Sequence, residues 1–278
     1  MTGQRLATRR ETVLNYVVLT IFVATTLLPL VGLITSALGP PNATSATMTI
    51  PRSLHFGNLA TAWNDGHFSQ YLISSVIVST ASSLLCCTLS LMAGYALGTM
   101  EFRGREFVFY LFLLGIMVPE EALIVPLYFD LRKLGLTDTY WSLILPQSAA
   151  ILSFGVFWMR AFFRSTSPAL REAAAIDGAS SWTTLVRILL PISRPALLTL
   201  ALLSFMWTWN EFLLPLVMIA TESRRTAPLG LSFFRGEHLT QYSQLSAAAL
   251  IVAAPIVILY IILNRRFIAG MMAGAVKE

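Results

Sequence analysis

The chain has 278 residues, 56% of them hydrophobic and only 12% charged, with a mean hydropathy of +0.70. Soluble domains carry about a quarter charged residues, so a water-soluble globular protein is excluded and a membrane protein is implied. The net charge of +5 does not point to nucleic acid, because no Lys/Arg-rich tract with interleaved aromatics is present to follow a phosphate backbone.

The first apolar run covers about 13–38, behind Arg5, Arg9 and Arg10. It exceeds the roughly 7–15 apolar residues of a signal peptide and reads as an anchor. A Pro- and Ser/Thr-rich external loop follows over 39–68, holding His55, His67 and the glycosylation-like triplet Asn42-Ala43-Thr44, a pattern too short to be specific. The second run covers 69–99. Its adjacent Cys86 and Cys87 have no nearby histidine, which suits neither a structural disulfide nor a metal site, so they read as small core residues.

The third run, 107–129, is interrupted by Pro119, Glu120, Glu121 and Pro126. Two readings are open. Either the carboxylates face a water-filled space at a broken helix, or the prolines end the span early and the glutamates meet external water. The fourth run covers 140–162.

A polar island, 164–195, comes next. Ser167 and Pro168 have the chemistry of an N-cap and a first helical position, so a short helix is expected up to Ile176, followed by Gly178 in the left-handed position beyond its end. Ser180 or Ser181 caps a second helix carrying Trp182, Leu185, Val186 and Leu189, which Pro191 should stop. Ala173, Ala174 and Ala175 would let another backbone approach closely, while Glu172 and Asp177 supply charge.

The fifth run, 196–220, holds Trp207, Thr208, Trp209, Asn210, Glu211 and Phe212. Indole faces beside amide and carboxylate groups suit a sugar, and equally suit a helix contact with an interfacial aromatic belt. The sixth run covers 243–264, after an external loop containing His238.

Orientation follows from the basic residues. Arg5, Arg9, Arg10, Arg103, Arg105, Arg160, Arg164, Arg171, Arg187, Arg194, Arg265, Arg266 and Lys277 fall on one side; Arg52, Arg132, Lys133, Arg224, Arg225 and Arg235 fall on the other. The positive-inside rule puts both termini and the 164–195 loop in the cytoplasm of a multi-pass protein. The only lysines, Lys133 and Lys277, precede Leu134 and Glu278, which leaves no GxxxxGK[ST] phosphate loop. No GxSxG, HExxH or Cys/His set is present, so neither a catalytic residue nor a metal site is expected. If such a chain does ATP-driven work, that work has to arrive through a protein contact.

Glu172, Ala173, Ala174, Gly178, Ile188, Leu190 and Pro191 fix seven positions in twenty. That spacing resembles the EAA loop of membrane subunits of binding-protein-dependent ABC importers. WNEFLLPLV, from Trp209, resembles the carbohydrate branch of that family, and the tail from Ala269 to Lys277 resembles the ending of the second membrane subunit of maltose-type importers. The resemblance implies an all-α, six-helix type I importer permease in the bacterial plasma (inner) membrane, a single domain over 1–278 embedded in lipid. It further implies a second permease, a dimer of ATP-binding subunits holding ATP and Mg, an extracytoplasmic solute-binding protein and a carbohydrate cargo. Glu172, Ala173, Ala174, Asp177, Gly178, Ile188 and Pro191 would couple the chain to the ATPase; Trp209, Asn210, Glu211 and Glu120 would line the solute path. A glycerol-phosphate-type polyol remains open as cargo, as does an ion-coupled transporter using Glu120, Glu121 or Glu211. The chain ends in Glu278 where the family often has glycine, which bears only on tail contacts.

Overall fold

A computed structural model describes residues 9–41, 43, 51–234 and 241–275. Arg5, Asn42, Thr44, Arg235, His238 and Lys277 lie outside the described residues, and of the tail only helical backbone up to Ala275 is described. The helices are α1 (Arg9–Ala37), α2 (Gly57–Asp65), α3 (Phe68–Thr99), α4 (Arg105–Met117), α5 (Glu120–Lys133), α6 (Trp141–Ser165), α7 (Ala169–Ile176), α8 (Ser181–Asn210), α9 (Leu213–Met218), α10 (Ala227–Gly230) and α11 (Tyr242–Ala275). No strand occurs among the described residues. Five helices there, α1, α3, α6, α8 and α11, are long and apolar enough to cross a membrane, and α4 with α5 makes a sixth span if the bent pair is counted as one.

The chain divides into two units. One comprises residues 1–67 and 231–253. In α1 the apolar side chains point outward on every side, as a helix solvated by lipid would require. Its C-terminal end is pinned by the buried Asn58, whose amide donates to the carbonyls of Ala37 at 2.8 Å and Gly39 at 2.9 Å. Ser243 Oγ donates to the Pro40 carbonyl at 2.7 Å, and Ser246 Oγ to Ser36 Oγ at 3.1 Å. The Asn58 amide thus satisfies the Ala37 carbonyl left open where the helix stops, and the serines tie the residues on either side of that end.

The other unit comprises residues 68–230 and 254–278. Its centre is α3 against α6 and α8. The buried side of α3 is made of Ser74, Ser75, Ser79, Ser82, Ser83, Cys86, Ser90 and Gly94, small residues that let helix backbones approach. A Cβ on Gly94 would lie 2.5 Å from Met159 Cβ. Cys86 and Cys87 are buried free thiols, as expected of core residues, and Cys87 belongs to a cluster with Tyr95, Met159 and Phe163.

The third run is broken, as both readings of its prolines allowed: α4 and α5 meet at 99°. Val118 is extended (ψ 121°) ahead of Pro119, as a residue preceding proline prefers. The thirteen residues of α4 rise only about 20 Å, short of the roughly 30 Å hydrocarbon core. At the end of the polar island, Pro191 does not stop the helix, whereas the fifth run, expected to reach 220, stops at Asn210 with the short α9 beyond it. Residues 184–189 wind as a π-helix and the α-helix continues from Leu190 to Asn210. The widened turn moves aside the carbonyl that the Pro191 ring would strike, so the span joins the polar island without a break.

Asp138 fastens two loops of this unit. Its Oδ1 accepts the N–H groups of Ala220 at 3.1 Å and Thr221 at 2.9 Å, its Oδ2 accepts the Thr221 hydroxyl at 2.5 Å, and Arg224 donates to its backbone carbonyl. The Thr221 hydroxyl, then the backbone donors, hold this carboxyl below the usual aspartate range. The residue itself is left-handed, φ +58°, a conformation Asp tolerates better than most.

Candidate functional site

The polar island forms a helix, a glycine turn and a second helix. Pro168 already has helical angles, and no side-chain cap precedes α7; Ser167 contributes its carbonyl to the Leu170 N–H at 3.4 Å rather than the capping hydroxyl expected of it. Gly178 has φ +76°. Around it the Gly178 N–H reaches the Ala175 carbonyl at 3.0 Å and the Ala179 N–H the Ala174 carbonyl at 2.9 Å, closing the helix end as left-handed caps do. Of the two candidate caps it is Ser180 whose hydroxyl accepts the Thr183 N–H, at 3.2 Å.

Glu172, Ala173, Ala175, Asp177, Gly178 and Pro191 are exposed and Ile188 is half-buried. Ala174 is buried against the chain itself, so the alanine face open to another backbone is Ala173 with Ala175. Two apolar residues stand out into solvent beside them, Ile176 at 86% and Trp182 at 61% exposed. Neither is distinguished by sequence spacing, because Ile176 ends its helix and Trp182 reads as one turn of an amphipathic pattern.

The island is tied to the spans. Arg171 Nη1 donates to the carbonyl of Thr99, the last residue of α3, at 2.7 Å. Nearby Arg160 is buried in α6; its Nη2 donates to both Glu106 oxygens at 2.7 Å, its Nε donates to the Leu97 carbonyl at 3.1 Å, and its guanidinium lies 3.7 Å from the Phe109 ring centroid. One cation thereby joins α3, α4 and α6.

The second feature is a cavity of about 620 Å³ between the two helix breaks, Val118–Pro119 and Glu211–Phe212. A neighbouring hollow of about 540 Å³ shares Glu120, Glu121, Gln147 and Glu211 with it. Glu120 and Glu121 open α5, where the partial positive end of the helix favours a carboxylate. Glu211 ends α8, and its Oε1 accepts the Leu214 N–H at 3.0 Å. Asn210 also lines the wall, with its Nδ2 donating to the Met206 carbonyl at 2.8 Å.

Three of the four expected path residues, Glu120, Asn210 and Glu211, are thus brought together. Trp209 is not: it is 1% exposed and stacked on Phe205 at 5.5 Å. The indole on the cavity is Trp207, edge-on to Phe154 at 5.2 Å. Gln147 is the residue sequence reading missed. It is 6% exposed, lines both hollows, and neither of its amide atoms has a partner; the Thr208 hydroxyl on the same wall is likewise unpartnered. A primary amide within an apolar span is itself a signal that could have found it.

Comparison with known proteins gives consistent results. The family model for "Binding-protein-dependent transport system inner membrane component" matches residues 88–272. The chain is 40% identical to the probable ABC transporter permease protein YurM of Bacillus subtilis (strain 168), over 82% of this chain and 76% of that protein. It is 32% identical to the trehalose transport system permease protein SugB of Mycobacterium tuberculosis (strain CDC 1551 / Oshkosh), over 93% of this chain and 95% of that one. Its fold matches a chain in the crystal structure of a bacterial ABC transporter involved in the import of the acidic polysaccharide alginate, with a TM-score of 0.79 at 20% identity, covering 95% of this chain and 100% of that chain.

Proposed function

This chain belongs to the family of binding-protein-dependent transport system inner membrane components, and on that premise we propose that it is one permease subunit of an ATP-driven importer for a saccharide handed over by a solute-binding protein. Both termini and the island lie in the cytoplasm. There the island docks on one of two ATP-binding subunits, which hold ATP and Mg, while this chain binds no cofactor and pairs with a second permease. The observation that carries the reading is the outward knob hinged at Gly178, with Ile176 and Trp182 exposed on it. Apolar side chains so placed favour burial in a partner's groove, and Arg171 connects the knob to the end of α3. Closure of the ATPase dimer moves the knob, and the packed helices follow as a body. Glu172 and Asp177 fix the docking direction, and Pro191 and Ile188 form the root of the knob. The solute passes the cavity walled by Glu120, Asn210, Glu211 and Trp207; the cargo of the trehalose permease SugB supports a saccharide.

Reconstitution of the chain with its partner subunits in liposomes tests this. Uptake is expected to stop when ATP is withheld and to survive collapse of the membrane potential. Uptake that needs the potential and ignores ATP would replace the proposal with ion coupling.

A further inference from the structure

Three carboxylates converge on one cavity. Glu120 and Glu121 approach from the start of α5 and Glu211 from the end of α8. Among the described residues none of the three forms an ion pair, and no Lys or Arg lines the wall. Beside them stands Gln147, which is more than nine-tenths buried, lines the same space and has both amide atoms unpartnered. Buried polar groups are paired in all but a few cases, so one left open on a cavity wall is a place for a ligand's hydrogen bonds.

Each group sets a condition on that ligand. The carboxylates accept hydrogen bonds and repel negative charge; Glu120 and Glu121 are exposed and Glu211 half-buried, and a cleft lined by one sign of charge focuses its field on what enters. The Gln147 amide offers a donor and an acceptor, which matches a hydroxyl. The Trp207 indole, held by Phe154, offers a face for the CH side of a sugar ring. A uronate or a phosphate ester would put its charge against an uncompensated acidic wall.

Resting on the solute-path reading above, we propose that Glu120, Glu121, Gln147 and Glu211 form a charge-selective subsite that admits saccharides bearing no negative charge. The phosphate-bearing polyol that the sequence left open is thereby set aside.

The test uses the complete importer in liposomes with a reporter thiol, Ala150→Cys, on the cavity wall. Both native cysteines are buried, so the parent chain supplies the background. The probes are a cationic trimethylammonium and an anionic sulfonate methanethiosulfonate, each forming a mixed disulfide with the thiolate and expelling a sulfinate. Relative to free cysteine, the cationic reagent should be preferred by on the order of tenfold, and the combined variant Glu120→Gln, Glu121→Gln should bring the ratio back toward that of free cysteine. Labelling should also differ at least several-fold between the resting importer and the importer trapped with ATP and vanadate.

A ratio equal to that of free cysteine, or one unmoved by the glutamine variants, overturns the charge selectivity even where labelling depends on the trapped state. Labelling that ignores the trapped state removes the cavity from the solute path, and the proposal falls with that reading. Asn210→Cys serves as a second reporter if Ala150→Cys does not assemble.

Discussion

Arg171, in the helix ahead of Gly178, donates to the Thr99 carbonyl at 2.7 Å. Thr99 is the final residue of α3, so one charged hydrogen bond connects the exposed knob to the most heavily packed helix of its unit. Arg171→Ala leaves that carbonyl without its donor and loosens the knob from the span. Uptake is expected to fall several-fold while ATP hydrolysis by the assembled importer falls less. Arg171→Lys, which retains a donor, should recover part of the loss. Equal loss of uptake and hydrolysis would show that the bond serves assembly, not transmission.

Gly178 has φ +76°, and a Cβ there would meet nothing within 4 Å. A substitution therefore acts through the backbone, at about 1–2 kcal/mol for a left-handed L-residue. Gly178→Val is expected to insert normally and to abolish ATP-dependent uptake. Gly178→Asn, better suited to this conformation, should retain a substantial fraction. Membrane fractionation and uptake measured on the same cells check both outcomes.

Gln147 should trade stability against function. Its amide is buried without partners, a condition that costs about 1–3 kcal/mol. Gln147→Leu is expected to raise the unfolding temperature of the purified chain by a few degrees and to lower uptake at least several-fold. A variant that is both more stable and fully active would mean that the amide has no solute to meet.

The Asp138 clasp gives a pH dependence with a definite sign. Its folded carboxyl lies below the ordinary value, chiefly through the Thr221 hydroxyl. The stabilisation is therefore fully present above the unfolded aspartate pKa of about 3.9, and is lost as pH falls through the lower folded value. Hydrogen exchange at Ala220 and Thr221, corrected for intrinsic rates, should accelerate only below about pH 4. Asp138→Asn should show faster exchange at neutral pH and no further change through that window.

Much of the knob could be read from residues. Gly178 announces its left-handed angle because few other residues adopt it, whereas two adjacent serines offered the same capping hydroxyl and only the fold selects Ser180. The cavity was legible only in part. Trp207 and Trp209 stand two residues apart, hence about 200° around a helix; which indole is turned inward depends on the rotation of α8 against its neighbours, and no local pattern encodes that. Pro191 misled for a different reason. Its penalty assumes an α-helical turn before it, and the turn here is π-helical. Glu120 and Glu121 were recognisable as a problem for an apolar span and Pro119 announces the break, but no local pattern encodes the 99° angle between α4 and α5.

Those wide turns at 184–189 bear on how the chain tolerates insertions. One extra residue in a regular helix rotates everything beyond it by about 100°, whereas a π segment takes up the surplus locally. Removing Val186, an exposed member of the segment, should therefore leave the azimuth of Trp207 nearly unchanged, while returning a carbonyl to the Pro191 ring and destabilising the helix at that point. The same excision a few turns downstream would swing that indole away from its wall.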